Sequence, residues 1–326
     1  MRLGLERARK VSAEFDLIRH IQSQLKPASA DVVLGIGDDA AVLSIPDGME
    51  LVATTDCLNS GIHFSGHDAP EDIGYKCLAV NLSDLAAMGA TPRWVLMSLS
   101  LPEADPAWVR QFIQGFNALA SEHEIELVGG DTCRGLMSVS MTALGWVPTG
   151  KALTRSGAHA GDLVVVSGNI GEAGLALRLL REGHVCPEPL AEALHRPQPR
   201  VALGRALLEW RTPCIDISDG LLQDLGHIAR QSGCAADLFL EQLPITDALK
   251  QLSQEDRWDL QLTAGDDYEL CFCWPSAKKA KLARLSQSLG LNLNVVGVIT
   301  RGDRVRCLKP GGGEYVPQRS GHEHFR

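Results

Sequence analysis

The sequence predicts an α+β (mixed α/β) protein of two domains, and three observations carry that prediction. Its 326 residues exceed what one compact core accommodates and suit two domains of roughly 150 each. Strand-like and helical stretches mix in both halves without a strict βαβ repeat. The character of the chain changes near residues 148–156, so the expected domains are residues 1–149 and 150–326.

In the first domain, Phe15, Ile18, Ile21 and Leu25 recur at helical spacing behind a Ser12 cap. Strands are expected at residues 32–36, 41–45 and 51–55, separated by Gly-Asp and Pro-Asp-Gly turn residues. Residues 71–88 form an alanine-rich helical pattern that Gly89 stops. Residues 94–101 alternate like a strand. An amphipathic helix follows over 106–123, with Trp108, Phe112, Ile113, Phe116 and Leu119 on its core side. Residues 125–128 and 137–147 are expected strands.

The second domain opens with a strand at 163–167 and a helix at about 172–182. A proline-bearing linker, 186–200, precedes a helix over 201–210. A strand at 214–217 leads through Ser218-Asp219-Gly220 into a helix over 221–231. Strands near 236–240, 268–274 and 293–299 and a helix around 277–289 complete the pattern.

Composition excludes several classes. Apolar residues are 45% and charged residues 22%, which is globular rather than disordered. No apolar run approaches the ~20 residues that span a bilayer. Residues 1–10 carry four basic side chains but no apolar segment behind them, unlike a secretory signal. Nine cysteines without metal spacing suit reduced thiols in a cytoplasmic protein. A net charge of −9 argues against a nucleic-acid partner. It still permits phosphorylated substrates, provided divalent cations bridge the negative charges.

Two glycine patterns imitate nucleotide-binding loops. Residues 145–151 satisfy most of a P-loop, but Ala152 stands where a magnesium-binding Ser or Thr belongs, and Pro148 removes a cradle amide. Gly168, Gly171 and Gly174 lack the dinucleotide spacing and are expected to form a tight strand-to-helix turn.

The informative feature is acidic. Six segments set aspartate beside glycine or a small residue. They are Gly37-Asp38-Asp39, Thr54-Thr55-Asp56, Asn81-Leu82-Ser83-Asp84, Gly129-Gly130-Asp131-Thr132, Asp216-Ile217-Ser218-Asp219-Gly220 and Gly265-Asp266-Asp267-Tyr268. One such segment is an ordinary turn. Six of them supply what magnesium needs, short hard-oxygen ligands from separate strand ends, with water and phosphate completing each octahedron. At Ser218-Asp219-Gly220 the carboxylates are expected to hold metal while the helix N-terminus faces an anion. Phosphoryl transfer requires in-line placement and charge neutralisation rather than covalent work. A phosphate-monoester acceptor, with a second pKa of ~6, needs no dedicated base. No Cys or His dyad resembles an activated nucleophile, which favours direct transfer.

At these residues, and over roughly 14–325, the sequence resembles the thiamine-monophosphate kinases, in the superfamily of aminoimidazole ribonucleotide synthetase. Residues 35–39, 79–90, 129–132, 153–157, 216–221 and 267–270 carry the resemblance in order. It implies an ATP-dependent kinase that converts thiamine monophosphate to thiamine diphosphate, the last step in making that cofactor. It implies several Mg2+ ions and a homodimer whose N-terminal strands pair across the two copies into a barrel. By motif match Asp39, Thr54, Thr55, Asp56, Asp84, Asp131, Asp216 and Asp219 would bind magnesium. Gly130, Asp131, Arg155 and Ser218 would contact ATP. Asp219, Arg155 and Asp131 would form the catalytic set, with Arg155 clamping the transferring phosphate. Asn81 serves helix packing or ligation equally well. His63, Asp266 and His322 match substrate contacts; Asp266 replaces the family's usual Glu, and His322 its common Tyr. Two alternatives remain: another ATP-dependent enzyme of the superfamily, or a non-catalytic metal-stabilised dimer.

Overall fold

The computed structural model describes residues 17–26, 28–319 and 321, a mixed α/β chain in two units. One unit runs up to Leu85 and resumes over Thr91–Gly150; the other comprises Ala86–Ala90 and the chain from Lys151 onward.

In the first unit, residues 17–23 are helical, with Leu17 and Ile21 buried. The Ser12 cap and Phe15 lie outside the described residues. Strands β1 (Val32–Leu34) and β2 (Val42–Leu43) form a small antiparallel pair. The main sheet contains β3 (Met49–Asn59), β4 (Thr91–Leu101), β5 (Glu126–Arg134) and β6 (Ser138–Pro148), in the order β3-β6-β4-β5. β6 pairs antiparallel with β3 and β4, whereas β4 and β5 are parallel. A parallel pair needs a crossover, here made by helix α2 (Pro106–Glu122); α1 (Pro70–Ala87) precedes β4. Alternation explains the sheet: Val139, Met141, Ala143, Gly145 and Val147 of β6 are buried while the residues between them are not.

Asp105 caps α2 by accepting from the N–H groups of Ala107 and Trp108, and Pro106 suits the first turn. Phe112, Ile113, Phe116 and Leu119 of α2 are buried as the periodicity predicts, joined by Val109, whereas Trp108 is only half-buried, stacked on Phe112. Helices α1 and α2 touch backbone to backbone. A Cβ on Gly115 would stand 1.7 Å from Glu71 O, and one on Gly74 2.0 Å from Phe112 O. No larger residue fits that crossing.

Two expected strand ends move furthest. β3 continues to Asn59 instead of stopping at residue 55, because β6 supplies eleven consecutive partners, Ser138 to Pro148. β5 continues through Gly130 and Asp131 to Arg134 instead of ending at 128, because β4 pairs it as far as Leu101.

The second unit is a seven-stranded sheet in the order β13-β12-β9-β11-β7-β10-β8. Its strands are β7 (Leu163–Ser167), β8 (Cys214–Asp216), β9 (Ala235–Phe239), β10 (Leu270–Trp274), β11 (Leu293–Thr300), β12 (Val305–Leu308) and β13 (Glu314–Tyr315). The pairs are antiparallel except β9 with β12. Around it lie α3 (Glu172–Arg181), α4 (Glu188–His195), α5 (Val201–Leu207), α6 (Leu221–Ser232), α7 (Gln254–Thr263) and α8 (Lys279–Leu289). Val164, Val166, Ile215, Ile217, Leu225 and Ile228 anchor its core. The sequence pattern missed α4, α7, β12 and β13. The region expected as a linker, 186–200, contains α4, whose Pro189 occupies the first turn, where its missing N–H costs nothing.

Both imitation loops prove structural. Residues 145–148 belong to β6, and at Gly171 the N–H donates to Asp267 Oδ1 at 2.8 Å in the turn before α3.

Candidate functional site

In the first unit, strand register decides which acidic residues meet. Asp56 lies opposite Met141, and Met141 opposite Met97, both buried, so Asp56 and its neighbour-but-one Thr54 face inward. There the α1 carboxylate Asp84 accepts a 2.5 Å hydrogen bond from Thr54 Oγ1. Burial, followed by the charge of Asp84, pushes the Asp56 carboxyl up to about 6. Two carboxylates and a hydroxyl thus share a partly dehydrated place where negative charge is unfavourable.

Thr55 and Asp131 belong to the alternate face. Thr55 pairs with Thr142, and their hydroxyls are 3.1 Å apart; Thr55 Oγ1 also donates to Met141 O at 3.0 Å. Asp131 is exposed and lies opposite Ser98, which pairs with Ser140. A register shift between Val95 and Leu96 bulges β5 just before Gly130, re-aiming the residues that follow. Gly130 has φ +145°, and a Cβ there would stand 1.8 Å from Met97 O. Asp39 is exposed on the loop after β1, its N–H bound to Asp38 Oδ1 at 2.9 Å. His63 lies in the turn after β3, where its Nδ1 accepts from Asn59 N–H at 3.0 Å, leaving Nε2 to carry the neutral ring's proton. Asn81 is fully buried in α1, donating to Cys77 O at 3.0 Å.

In the second unit two loops join. Asp266 N–H donates to Ser218 O at 2.9 Å and Tyr268 N–H to Ile217 O at 2.8 Å. Asp266 and Tyr268 both adopt positive φ, +61° and +49°, and the Tyr268 hydroxyl donates to Asp266 Oδ1 at 3.0 Å. Asp216 is buried at the end of β8, and Asp219 is half-buried at the start of α6. Gln223 Nε2 donates to Asp219 Oδ2 at 3.0 Å. Arg155 is exposed on a loop joined to β8 by Cys214 N–H donating to Thr154 O at 3.0 Å. Arg155 and Asp219 both act on the His227 imidazole, whose pKa is lowered by burial first and then by Arg230 and Arg155. Gly321 lies beside this turn, its would-be Cβ 3.0 Å from Asp219 O. His322 lies outside the described residues.

At the turn into α6 the N–H groups of Asp219 and Gly220 both donate to Asp224 Oδ2, each at 3.1 Å. Burial, then the charge of Asp219, pushes Asp224 up to about 7. Beneath the second loop, Glu269 is buried and accepts from Ser167 Oγ and from Arg200, whose Nε is 2.7 Å away. The buried carboxyl of Asp267 accepts from Gly171 N–H, while its Oδ2 has no partner; burial raises its pKa well above the usual range. Motif reading missed Asp224, Arg200 and Glu269 as elements of the site, because none adjoins glycine.

The residues fit magnesium. Among the described residues no three His, Cys, Asp or Glu side chains gather into a cluster suited to a metal. Magnesium asks less, one or two carboxylates with hydroxyl, water and phosphate oxygens. Asp56, Asp84 and Thr54 supply such oxygens, and the mutual repulsion that lifts Asp56 is what a cation would relieve.

Comparisons with known proteins bear on the fold and the family. Residues 37–147 match the family model described as AIR synthase related protein, N-terminal domain, and residues 159–308 its C-terminal domain. The thiamine-monophosphate kinase of Escherichia coli K12 is 40% identical over 320 residues, 96% of this chain and 98% of that protein. The chain belongs to the thiamine-monophosphate kinase family. Among solved members, the enzyme from Stenotrophomonas maltophilia K279a is 46% identical, covers 90% of this chain and 94% of its own, and superposes with TM-score 0.83. A more distant member, AaThiL complexed with AMPPCP and TMP, is 30% identical, covers 95% and 96%, and superposes at 0.74. The mixed α/β architecture is therefore that of the family, and the acidic segments of both units lie within the matched ranges.

Proposed function

We propose that this chain transfers the γ-phosphate of ATP to the phosphate of thiamine monophosphate, the last step in forming thiamine diphosphate. One observation carries the reading: nearly the whole chain matches kinases of that name, including a member complexed with AMPPCP and TMP. An oxygen of the acceptor phosphate attacks the γ-phosphorus; that bond forms as the bond to the β–γ bridging oxygen breaks, and ADP leaves. Bound magnesium would supply charge neutralisation between the two polyanions.

Each unit contributes defined groups. In the first, Asp56, Asp84 and Thr54 would hold metal from the inner face of the sheet, with Asp39, Thr55 and Asp131 offering further oxygens. The absence of a Cβ at Gly130 lets backbone approach a phosphate. In the second, Asp216 and Asp219 would ligate metal, Ser218 would meet ATP, and the Arg155 guanidinium would hold the transferring phosphate by its fork of N–H groups. Tyr268 orients Asp266 for a cationic substrate ring, and His63 and His322 complete the substrate contacts. Domain limits of 1–149 and 150–326 would separate these two sets.

The same reading includes a homodimer. Strand β3 is an eleven-residue edge paired only to β6 among the described residues. Exposed Met49 and Leu51 on β3, with Val33, Leu34, Val42 and Ile45 nearby in the chain, are apolar surface that a second copy would cover by strand pairing into a barrel. Nine cysteines free of disulfides suit a reducing, cytoplasmic setting. No helix among the described residues is long and apolar enough to cross a membrane.

The test is a magnesium-dependent assay of purified protein with ATP and either thiamine monophosphate or thiamine. Thiamine diphosphate formed only from the monophosphate is expected. ATP consumption with neither acceptor productive would move the activity to a relative within the superfamily.

A further inference from the structure

We infer that Asp224 is the positioning residue of the Asp219 turn: its carboxylate accepts from the N–H groups of Asp219 and Gly220 and so fixes the backbone from which Asp219 points at metal. This rests on the assignment of Asp219 as a ligand. The N-cap position of α6 is Gly220, which has no side chain to cap with. The amides of Asp219 and Gly220 converge instead on one oxygen, Asp224 Oδ2, five and four residues further along the chain.

The arrangement is rigid for a physical reason. Asp224 is 3% exposed, so its two amide partners cannot be exchanged for water without breaking the core around Leu221, Leu225 and Ile228. With those amides satisfied, the Asp219 carboxylate is left to side-chain partners, and Gln223 holds its Oδ2 at 3.0 Å. The opposite side of the turn is tied by Asp266 N–H to Ser218 O at 2.9 Å. Removing the Asp224 oxygen would strand both amides and let the backbone that carries Asp219 shift, which takes the ligand out of position.

The test compares Asp224→Ala and Asp224→Asn in the full chain, reading Mn2+ binding by calorimetry, thermal melting and kinase turnover. Supporting groups around metal ligands typically change affinity about 10–100-fold when removed. Asp224→Ala is expected to weaken Mn2+ binding by that factor. Asp224→Asn keeps an acceptor oxygen in the same place and is expected to restore most of the affinity. Parental Mn2+ affinity in Asp224→Ala, or equal loss in both variants at parental melting temperature, would overturn the inference. Should Asp224→Ala fail to fold, Asp224→Glu keeps the charge but displaces the acceptor by one methylene. Weakened binding there supports the inference, and parental binding overturns it. Parental protein that binds Mn2+ but forms no thiamine diphosphate would refute the kinase reading while leaving this comparison intact.

Discussion

Replacing Gly130 by alanine should damage both fold and activity, by an amount the backbone sets. The new Cβ would stand 1.8 Å from Met97 O, 2.6 Å from Met97 C and 2.8 Å from Met97 N, all main-chain atoms that no rotamer change can move. Reaching even 3.0 Å requires β5 to retreat from β4 by about 1.2 Å, enough to break the ladder bonds on either side. The φ of +145° costs a non-glycine residue about 1–3 kcal/mol. Each lost hydrogen bond adds about 0.5–1.5 kcal/mol. With two such bonds lost, the cost is about 2–6 kcal/mol, a large part of the ~5–15 kcal/mol that domains possess. Because Asp131 follows directly, turnover should fall with stability. The control is Gly150→Ala, where φ is +67° but no atom lies within 4 Å. It should cost only about 1–2 kcal/mol, the left-handed backbone penalty. Urea unfolding of both variants measures the difference. If Gly130→Ala unfolds no more easily than Gly150→Ala, the close approach of β4 and β5 is not what demands glycine.

Three further outcomes are expected. Arg155→Ala should lower the maximal rate roughly 100-fold, as loss of a transition-state donor does, with unchanged melting because the side chain is exposed; a steady-state assay beside a melting curve checks this. Arg200→Met should destabilise the second unit by about 3–5 kcal/mol by stranding buried Glu269, and adding Glu269→Gln should recover much of that loss in urea unfolding. Asp267→Asn should become more stable relative to the parent as pH rises above the ordinary aspartate value of 3.8. The sign follows from the raised pKa: the folded chain holds a proton that the unfolded chain releases, so the parent loses stability with rising pH until the folded carboxyl also ionises. Melting curves taken from about pH 4 to about pH 8 read the divergence, and parallel curves would place the Asp267 carboxyl in water.

What the sequence disclosed and what it withheld follow from range. Helix α2 was legible because Phe112, Ile113, Phe116 and Leu119 repeat at helical period behind Asp105 and Pro106, all within one window. Helix α7 escaped because only Trp258, Gln261 and Leu262 of its ten residues are buried; its readable sign was Ser253, whose Oγ accepts from Asp256 N–H at 3.1 Å. The extent of β5 past residue 128 depends on pairing with β4, which no local pattern encodes.

The candidate site divides in the same way. Aspartates beside glycine announced themselves, since that dipeptide marks places where backbone and carboxylate are both exposed to a ligand. The groups that hold those aspartates in place did not. Asp224 sits between Gln223 and Leu225, and reads as an ordinary helical residue until the amides of Asp219 and Gly220 are seen to end on it. Arg200 reaches Glu269 across 69 positions of sequence. Candidate ligands are thus written in local motifs, whereas the groups that hold them are written in the fold. A variant that keeps every motif can still lose the site, and Asp224→Ala, outside all the glycine-flanked segments, is the substitution that distinguishes the two.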